Sequence, residues 1–202
     1  MIRRLSILLL LAGGLHLMSF VAPDFKTRYL QKAAETQSIQ CAYTQEKHIS
    51  QLKEPVISKG SFSYLHPGKI RLDQQEPTSN LIILTPDSIF TKESGKVSRL
   101  GMEDHPYFKY LNQLILGTVN GEIFEEKYFD TSVKEGVAVI QVELIPKSRM
   151  MKRRFANISL VFDANDLSLK SMEMIEKSGD SMKMIFHDPQ VNLPIKKAIF
   201  KL

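Results

Sequence analysis

The sequence predicts a mainly β protein of the α+β class. Its expected form is a curled antiparallel sheet making an open half-barrel, with an N-terminal helix and a short helical insertion covering the concave apolar face. Three observations carry this. About ten short runs alternate apolar and polar residues with period two, each bounded by turn residues, as in an antiparallel meander. A helical period occurs in two places, 23–37 and 105–117. Strands of this kind twist and curl, a curled sheet with one apolar face needs a cover, and these helices are the only cover offered.

The elements follow in order. "MIRR" and the apolar "LSILLLLAGGLHLMSFVA" have the form of a signal peptide over 1–22, cut after Ala22. Gly13, Gly14, His16 and Ser19 interrupt the run, which argues against a membrane span, although Phe20 at the −3 position leaves an uncleaved anchor as the alternative. No cysteine ends the run, so the chain lacks the usual lipoprotein signal. Residues 23–202 are then a single domain. Phe25, Tyr29, Leu30 and Ala33 share a helical stripe, and Asp24 is placed to cap it.

Period two begins at 38–50 and continues at 55–65 and 69–75. In "GSFSYLHPGKIRLD", Phe62 and Tyr64 alternate with serines, a Pro-Gly turn follows, and Ile70 and Leu72 alternate with charges. The segment 79–85 is apolar on both faces and so requires a cover on each. Residues 87–100 form a hairpin about Ser94-Gly95. The helical insertion 105–117 puts Phe108, Leu111, Leu114 and Ile115 on one stripe, with Gly117 as its stop and one more helical turn within 120–129. Strands resume at 136–146, 153–163, 167–177, 181–188 and 196–202. Centring the turn of "SMEMIEKSGDSMKMIF" on Gly179 sets Met174 opposite Met184 and Met172 opposite Phe186, which makes a Met/Phe patch on one face. Methionine is flexible and polarisable and suits surfaces that accept varied apolar shapes.

Composition excludes several classes. A hydrophobic content of 43% and a charged content of 24% are ordinary for a globular chain of 202 residues. Losing Arg3 and Arg4 with the leader leaves 25 basic residues against 22 acidic ones, a net of +3, too little to argue for nucleic acid. Cys41 is the one cysteine, so no intramolecular disulfide can form; it alternates with Ile39 and Tyr43 and reads as a small buried hydrophobe. His48, His66, His105 and His187 make no metal-ligand spacing, so no metal is expected. A nucleophile elbow, a phosphate loop and a Cys–His spacing are all missing, and the chain does not read as an enzyme. Asn157-Ile158-Ser159 is a glycosylation sequon in form, but it falls in an expected strand. The densest charge is "KSRMMKRRF", with Lys147, Arg149, Lys152, Arg153 and Arg154. It reads either as a solvated loop or as a docking patch for an acidic partner or an anionic membrane.

The stretches "FKTRYLQKAAETQSIQCAYTQEK", "SKGSFSYLHPGKIRLDQQEP", "LIPKS" with "ISLVFDANDLSLKSMEMIEKSGDSMKMIF", and "NLPIKKAIFKL", in that order, together resemble the periplasmic outer-membrane lipoprotein carriers, the LolA-like family. "FKTRYLQKAAETQSIQCAYTQEK" is similar to the family's opening helix and first strand, with Tyr43-Thr44-Gln45 as its aromatic-x-Gln element. "SKGSFSYLHPGKIRLDQQEP" is similar to its small-Gly-x-apolar-x-aromatic stretch, "LIPKS" with "ISLVFDANDLSLKSMEMIEKSGDSMKMIF" to its Pro-Lys loop and closing meander, and "NLPIKKAIFKL" to its ending. The match runs from about residue 24 to 202, and its specificity lies in the order and spacing of the motifs. The resemblance implies a half-barrel whose cavity holds acyl chains, with no cofactor and no covalent chemistry. It implies a periplasmic monomer that takes cargo from an inner-membrane lipoprotein-releasing transporter and delivers it to an outer-membrane acceptor or to the membrane.

On that reading Phe62, Tyr64, Ile70, Leu72, Ile140, Val142, Leu144, Ile158, Leu160, Met172, Met174, Met182 and Met184 line the cavity. Phe108, Leu111, Leu114 and Ile115 form the lid. His66 stands where some members carry a lid-latching arginine, which makes it a candidate latch or a plain turn residue, and the family's tryptophans have no counterpart here. The alternatives are a carrier of a free lipid or glycolipid, an envelope scaffold with a filled core, and a hydrolase whose triad the sequence hides.

Overall fold

A computed structural model describes residues 23–125 and 127–202. The expected signal peptide, 1–22, lies outside the described residues. Helix α1 (Phe25–Glu35) begins where Asp24 accepts a hydrogen bond from Thr27 N at 2.9 Å. Six antiparallel strands follow: β1 (Ser38–His48), β2 (Val56–Leu65), β3 (Lys69–Glu76), β4 (Asn80–Leu84), β5 (Ser88–Glu93) and β6 (Lys96–Gly101). Helix α2 (Pro106–Asn120) comes next, then β7 (Phe129–Glu135) and β8 (Val139–Pro146). A short helix α3 (Arg149–Arg154) precedes β9 (Phe155–Asp163), β10 (Leu169–Glu176) and β11 (Ser181–Val191).

The eleven strands of the described residues form one sheet in the order β6-β5-β4-β3-β2-β1-β11-β10-β9-β8-β7. The first and last strands pair at its centre, and β6 and β7 are its two edges. Laid flat, those edges would lie roughly 48 Å apart at strand spacing. The chain crosses from one to the other through residues 102–128, with α2, about 22 Å long at helical rise, in the middle. The sheet curls, which brings its two arms together. Accordingly Leu84 and Ile89 of one arm and Phe129 and Ile140 of the other belong to a single buried cluster beneath the helices. The mainly β, open half-barrel form expected from the sequence is the one observed.

The two faces of β4 explain its unbroken apolar run. Leu84 joins the concave core, while Leu81 and Ile83 face the convex side. That side is covered by the C-terminal segment, where Phe200 is buried on Leu81 and Ile83 and Arg71 Nη1 donates to Ile199 O at 2.7 Å. The strand expected at 196–202 is instead a 3-10 turn over Lys197–Phe200 laid across the outside of the sheet. Its apolar residues cover a surface; they do not extend the sheet.

Four further expectations are corrected. Strand β7 has no counterpart among the expected elements, because only Phe129 is buried along it and an edge strand of this kind leaves no alternation to detect. Helix α3 stands where the basic run suggests a loop; it is six residues long, capped by Ser148 accepting from Met151 N at 3.2 Å, and buries only Met151. Helix α2 does not stop at Gly117 but at Gly121, whose φ of 78° supplies the left-handed C-cap. Gly117 lies inside the helix and packs beside Ile123 of the following turn. Finally, the methionine hairpin pairs Met172 with Met184 and Met174 with Met182. Its loop is Lys177-Ser178-Gly179, closed by Glu176 N to Asp180 O at 2.8 Å, with Gly179 at φ 93° ending the turn. The true centre is Ser178. The resulting shift of two residues keeps every side chain on its expected face.

Candidate functional site

The covering layer has two halves. Helix α1 is tied down at both ends. Glu135 on β7 accepts from Phe25 N at 2.9 Å and pairs with Arg28 at 2.7 Å. At the other end Asn192 accepts from Gln37 N at 2.7 Å and donates to Glu35 O at 3.0 Å. Under its first half, Phe25 and Tyr29 pack on Phe124 and Phe162 with ring centroids 4.9–5.9 Å apart, which plugs that end of the half-barrel. The last turn of helix α2 is fastened by two hydrogen bonds. Tyr29 donates to Thr118 O at 2.6 Å, and Tyr64 donates to Asn120 Oδ1 at 3.2 Å. Burial raises the Tyr29 phenol well above its ordinary range.

Between the C-terminal halves of both helices and the central strands lies a cavity of about 90 Å³. Its floor is Ile39 and Cys41 (β1), Phe62 (β2), Leu72 (β3), Met172 (β10) and Met184 and Phe186 (β11). Tyr29, Ala33 and Ile115 roof it, and Leu167 and Leu169 stand at its rim beside Lys32 and Ser168. A second void of about 10 Å³ lies under the first turns of α2, against Leu111, Leu114, Met151, Phe155 and Met174.

The expected lining therefore divides. Phe62, Leu72, Met172, Met184 and the lid residue Ile115 line the cavity. Met174, Leu111 and Leu114 line the small void. Ile140, Val142, Leu144, Ile158 and Leu160 face the same side of the sheet but line neither space; all are at most 1% exposed in a filled core, as are Tyr64 and Ile70. Met182 and Phe108 are half-buried against that core and line neither space. Sequence reasoning missed Tyr29, Ala33, Ile39, Cys41, Leu167 and Leu169, and it put Phe186 in the Met/Phe patch without assigning it to the lining. For Tyr29 and Ala33 the helical stripe was legible, and for Cys41 and Phe186 the strand alternation.

His66 is exposed, and its Nδ1 lies 3.4 Å from the Tyr64 hydroxyl. The hydrogen bond from the sheet to α2 comes from Tyr64, with His66 one step behind it. The basic run also divides: Lys147 pairs with Asp130 at 2.9 Å and Arg154 with Glu176 at 3.1 Å, whereas Arg149, Lys152 and Arg153 project from α3 without an ion pair among the described residues. Burial pushes the Cys41 thiol up to about 12, which keeps it protonated and unreactive at neutral pH. Among the described residues no cluster of three His, Cys, Asp or Glu could hold a metal ion, and no helix is long and apolar enough to cross a membrane. What this arrangement can do is enclose apolar matter.

The profile of the family described as outer membrane lipoprotein carrier protein LolA matches residues 34–202. The chain belongs to this family. Solved structures resemble it at low identity. MucB in complex with MucA from Pseudomonas aeruginosa is 12% identical with a TM-score of 0.51, over 88% of this chain and 59% of that one. A LolA superfamily protein from Nitrosomonas europaea is 11% identical with a TM-score of 0.48, over 89% and 99% of the two chains. A lipoprotein-sorting protein domain from Vibrio parahaemolyticus is 11% identical with a TM-score of 0.45, over 87% and 97%. No curated protein matches the sequence.

Proposed function

We propose that this LolA-family protein is an exported carrier that shields the acyl chains of lipoproteins in its half-barrel and ferries them from the inner to the outer membrane. The observation that carries the reading is an apolar cavity roofed by a helix that links the two sheet edges. Burying acyl chain is worth roughly 0.8 kcal/mol per CH₂, so a lipid with two or three long chains needs a shield to cross water. A cavity of about 90 Å³ is far below the roughly 300–1,000 Å³ of ordinary ligand pockets. Loading therefore requires α2 to lift, and the fastenings favour that: α1 is pinned at both ends, while α2 starts at His105 with no side-chain cap bond and its first turns are held at the surface, by Arg154 on the Tyr107 ring and by Tyr110 donating to Met150 Sδ. Lifting α2 would join the cavity to the small void and expose the methionines on β10 and β11. Donor and acceptor in this scheme are an inner-membrane lipoprotein-releasing transporter and an outer-membrane acceptor.

The modest cavity favours one second reading, a carrier of a slimmer free lipid or glycolipid. Mass spectrometry of protein isolated gently from the cell envelope separates the two. A triacylated lipoprotein bound one to one supports the first reading and a free lipid the second. An empty protein that also ignores a fluorescent acyl probe would refute both.

A further inference from the structure

Helix α3 holds three cations, Arg149, Lys152 and Arg153, that face solvent with no ion pair among the described residues. Met150, among them, is 51% exposed. The neighbouring cations are already engaged, Lys147 by Asp130 and Arg154 by Glu176. The same helix also fastens the first turns of α2. The Arg154 guanidinium lies 4.6 Å from the centroid of the Tyr107 ring, and Met150 Sδ accepts from the Tyr110 hydroxyl at 3.2 Å. Both fastenings are at the surface: Arg154 is half exposed and Tyr107 is 37% exposed. They are weaker than the buried Tyr29–Thr118 bond at the other end of α2.

We propose that α3 is a docking surface for an anionic lipid bilayer and that docking loosens the first turns of α2. Charge complementarity selects an anionic partner. The exposed thioether of Met150 and the Tyr107 ring select a bilayer over an acidic protein surface, because both groups gain from an acyl–headgroup boundary. Lipid phosphates would compete with the Tyr107 face and with Glu176 for the Arg154 guanidinium, since bidentate phosphate contacts suit arginine. Met150, drawn toward the boundary, would leave the Tyr110 hydroxyl. The Tyr107 and Tyr110 fastenings both hold α2 over the small void, so releasing them frees that end of the helix. The purpose of the coupling, opening the cavity at a membrane, rests on the carrier reading; the docking itself does not.

The test is flotation of the protein as isolated from the cell envelope, with vesicles of phosphatidylcholine alone or of equal parts phosphatidylcholine and phosphatidylglycerol. Hydrogen exchange of 106–112 is read in the same samples. Anionic vesicles should bind the protein better than neutral ones and speed that exchange. The Arg149→Glu/Lys152→Glu/Arg153→Glu variant should lose anionic partition by roughly 100-fold, about fivefold per cation. Its circular dichroism and its acyl-probe binding without vesicles should be unchanged. Arg154→Gln alone should speed exchange of 106–112 with no vesicle present. Undiminished flotation of the triple variant, exchange unaltered by anionic vesicles, or binding to a polyglutamate peptide but not to anionic vesicles would overturn the proposal. Failure of the carrier reading registers separately, as loss of acyl-probe binding in vesicle-free buffer.

Discussion

The β8–β9 arm and the central strands present the same kind of surface to the covering helices, but they differ in how that surface is filled. On the arm, Ile140, Val142, Leu144, Ile158 and Leu160 are 0–1% exposed and close-packed. At the centre, Ile39, Cys41, Phe62, Leu72, Met172, Met184 and Phe186 border about 90 Å³ of empty space. The side chains on the arm are mostly branched aliphatics, which lock into one packing. Those at the centre include a cysteine and two methionines, one too small to fill its place and the others able to shift. One concave face thus combines a rigid core that holds the curl with a yielding patch that can admit a guest.

The largest expected effect is on the arm. Leu160→Ala, at a fully buried position, should lower stability by about 2–5 kcal/mol in denaturant titration while the folded fraction keeps its acyl-probe affinity. A cost below about 1 kcal/mol would mean that the arm is as loose as the centre. Next comes the reverse experiment. Cys41→Phe places a ring in the cavity and should abolish acyl-probe binding for an overpacking cost of about 1–3 kcal/mol. Retained binding would move the guest's path elsewhere.

A smaller effect sharpens the role of the roof. Tyr64→Phe removes the bond to Asn120 and should cost about 0.5–1.5 kcal/mol, with faster association and release of the probe. His66→Ala should change neither rate, because His66 reaches α2 only through Tyr64; a slowed or hastened probe would restore it as a latch. Cys41 also reports on the cavity directly. Its thiol is raised from 9.0 to about 12, so near neutral pH its thiolate fraction is roughly a thousandfold below that of an exposed thiol. Reaction with a small disulfide reagent should be slow, and slower still with acyl probe bound; a rate indifferent to the probe would separate Cys41 from the site.

The smallest effect is common to both regions, because it acts on the turns that frame them. Backbone N–H groups hold the carboxyl groups of Asp24, Asp163 and Asp180 below the ordinary value of 3.8. A depressed folded-state pKa stabilises the protein above the unfolded value, and that contribution disappears as pH falls through the lower folded values. Thermal stability should be flat near neutrality and decline slightly below about pH 4 through these groups. A decline already present near pH 6 would point to another group.

Much of this is legible in the residues alone. Asp24 before an apolar helical stripe places α1, period two with Pro-Gly and Ser-Gly turns places β1 to β3, β5 and β6, and an unbroken apolar run places β4. These signals are local: a cap, a turn and an alternating face each depend on a few adjacent residues. The elements that escape a sequence reading have no such signal. Strand β7 buries one residue, α3 is a six-residue run of mostly cations, and the C-terminal segment alternates like a strand yet lies across the outside of the sheet. The candidate site is half legible. Alternation shows which side chains face inward, at Phe62 and Leu160 alike, and it cannot show whether anything stands opposite them.

The residues taken in order were enough for the class of fold, the faces of its strands, the family resemblance and the charge on α3. Tertiary packing decided the rest. It set which inward residues border a void, which hydroxyl fastens α2, and that a basic run touches the covering helix at Tyr107 and Tyr110. The reason is geometric. A strand's period specifies direction, whereas a cavity is a mismatch in volume between residues far apart in the chain, such as Ala33, Cys41, Ile115 and Met184, and it exists only once the sheet has curled and brought them together.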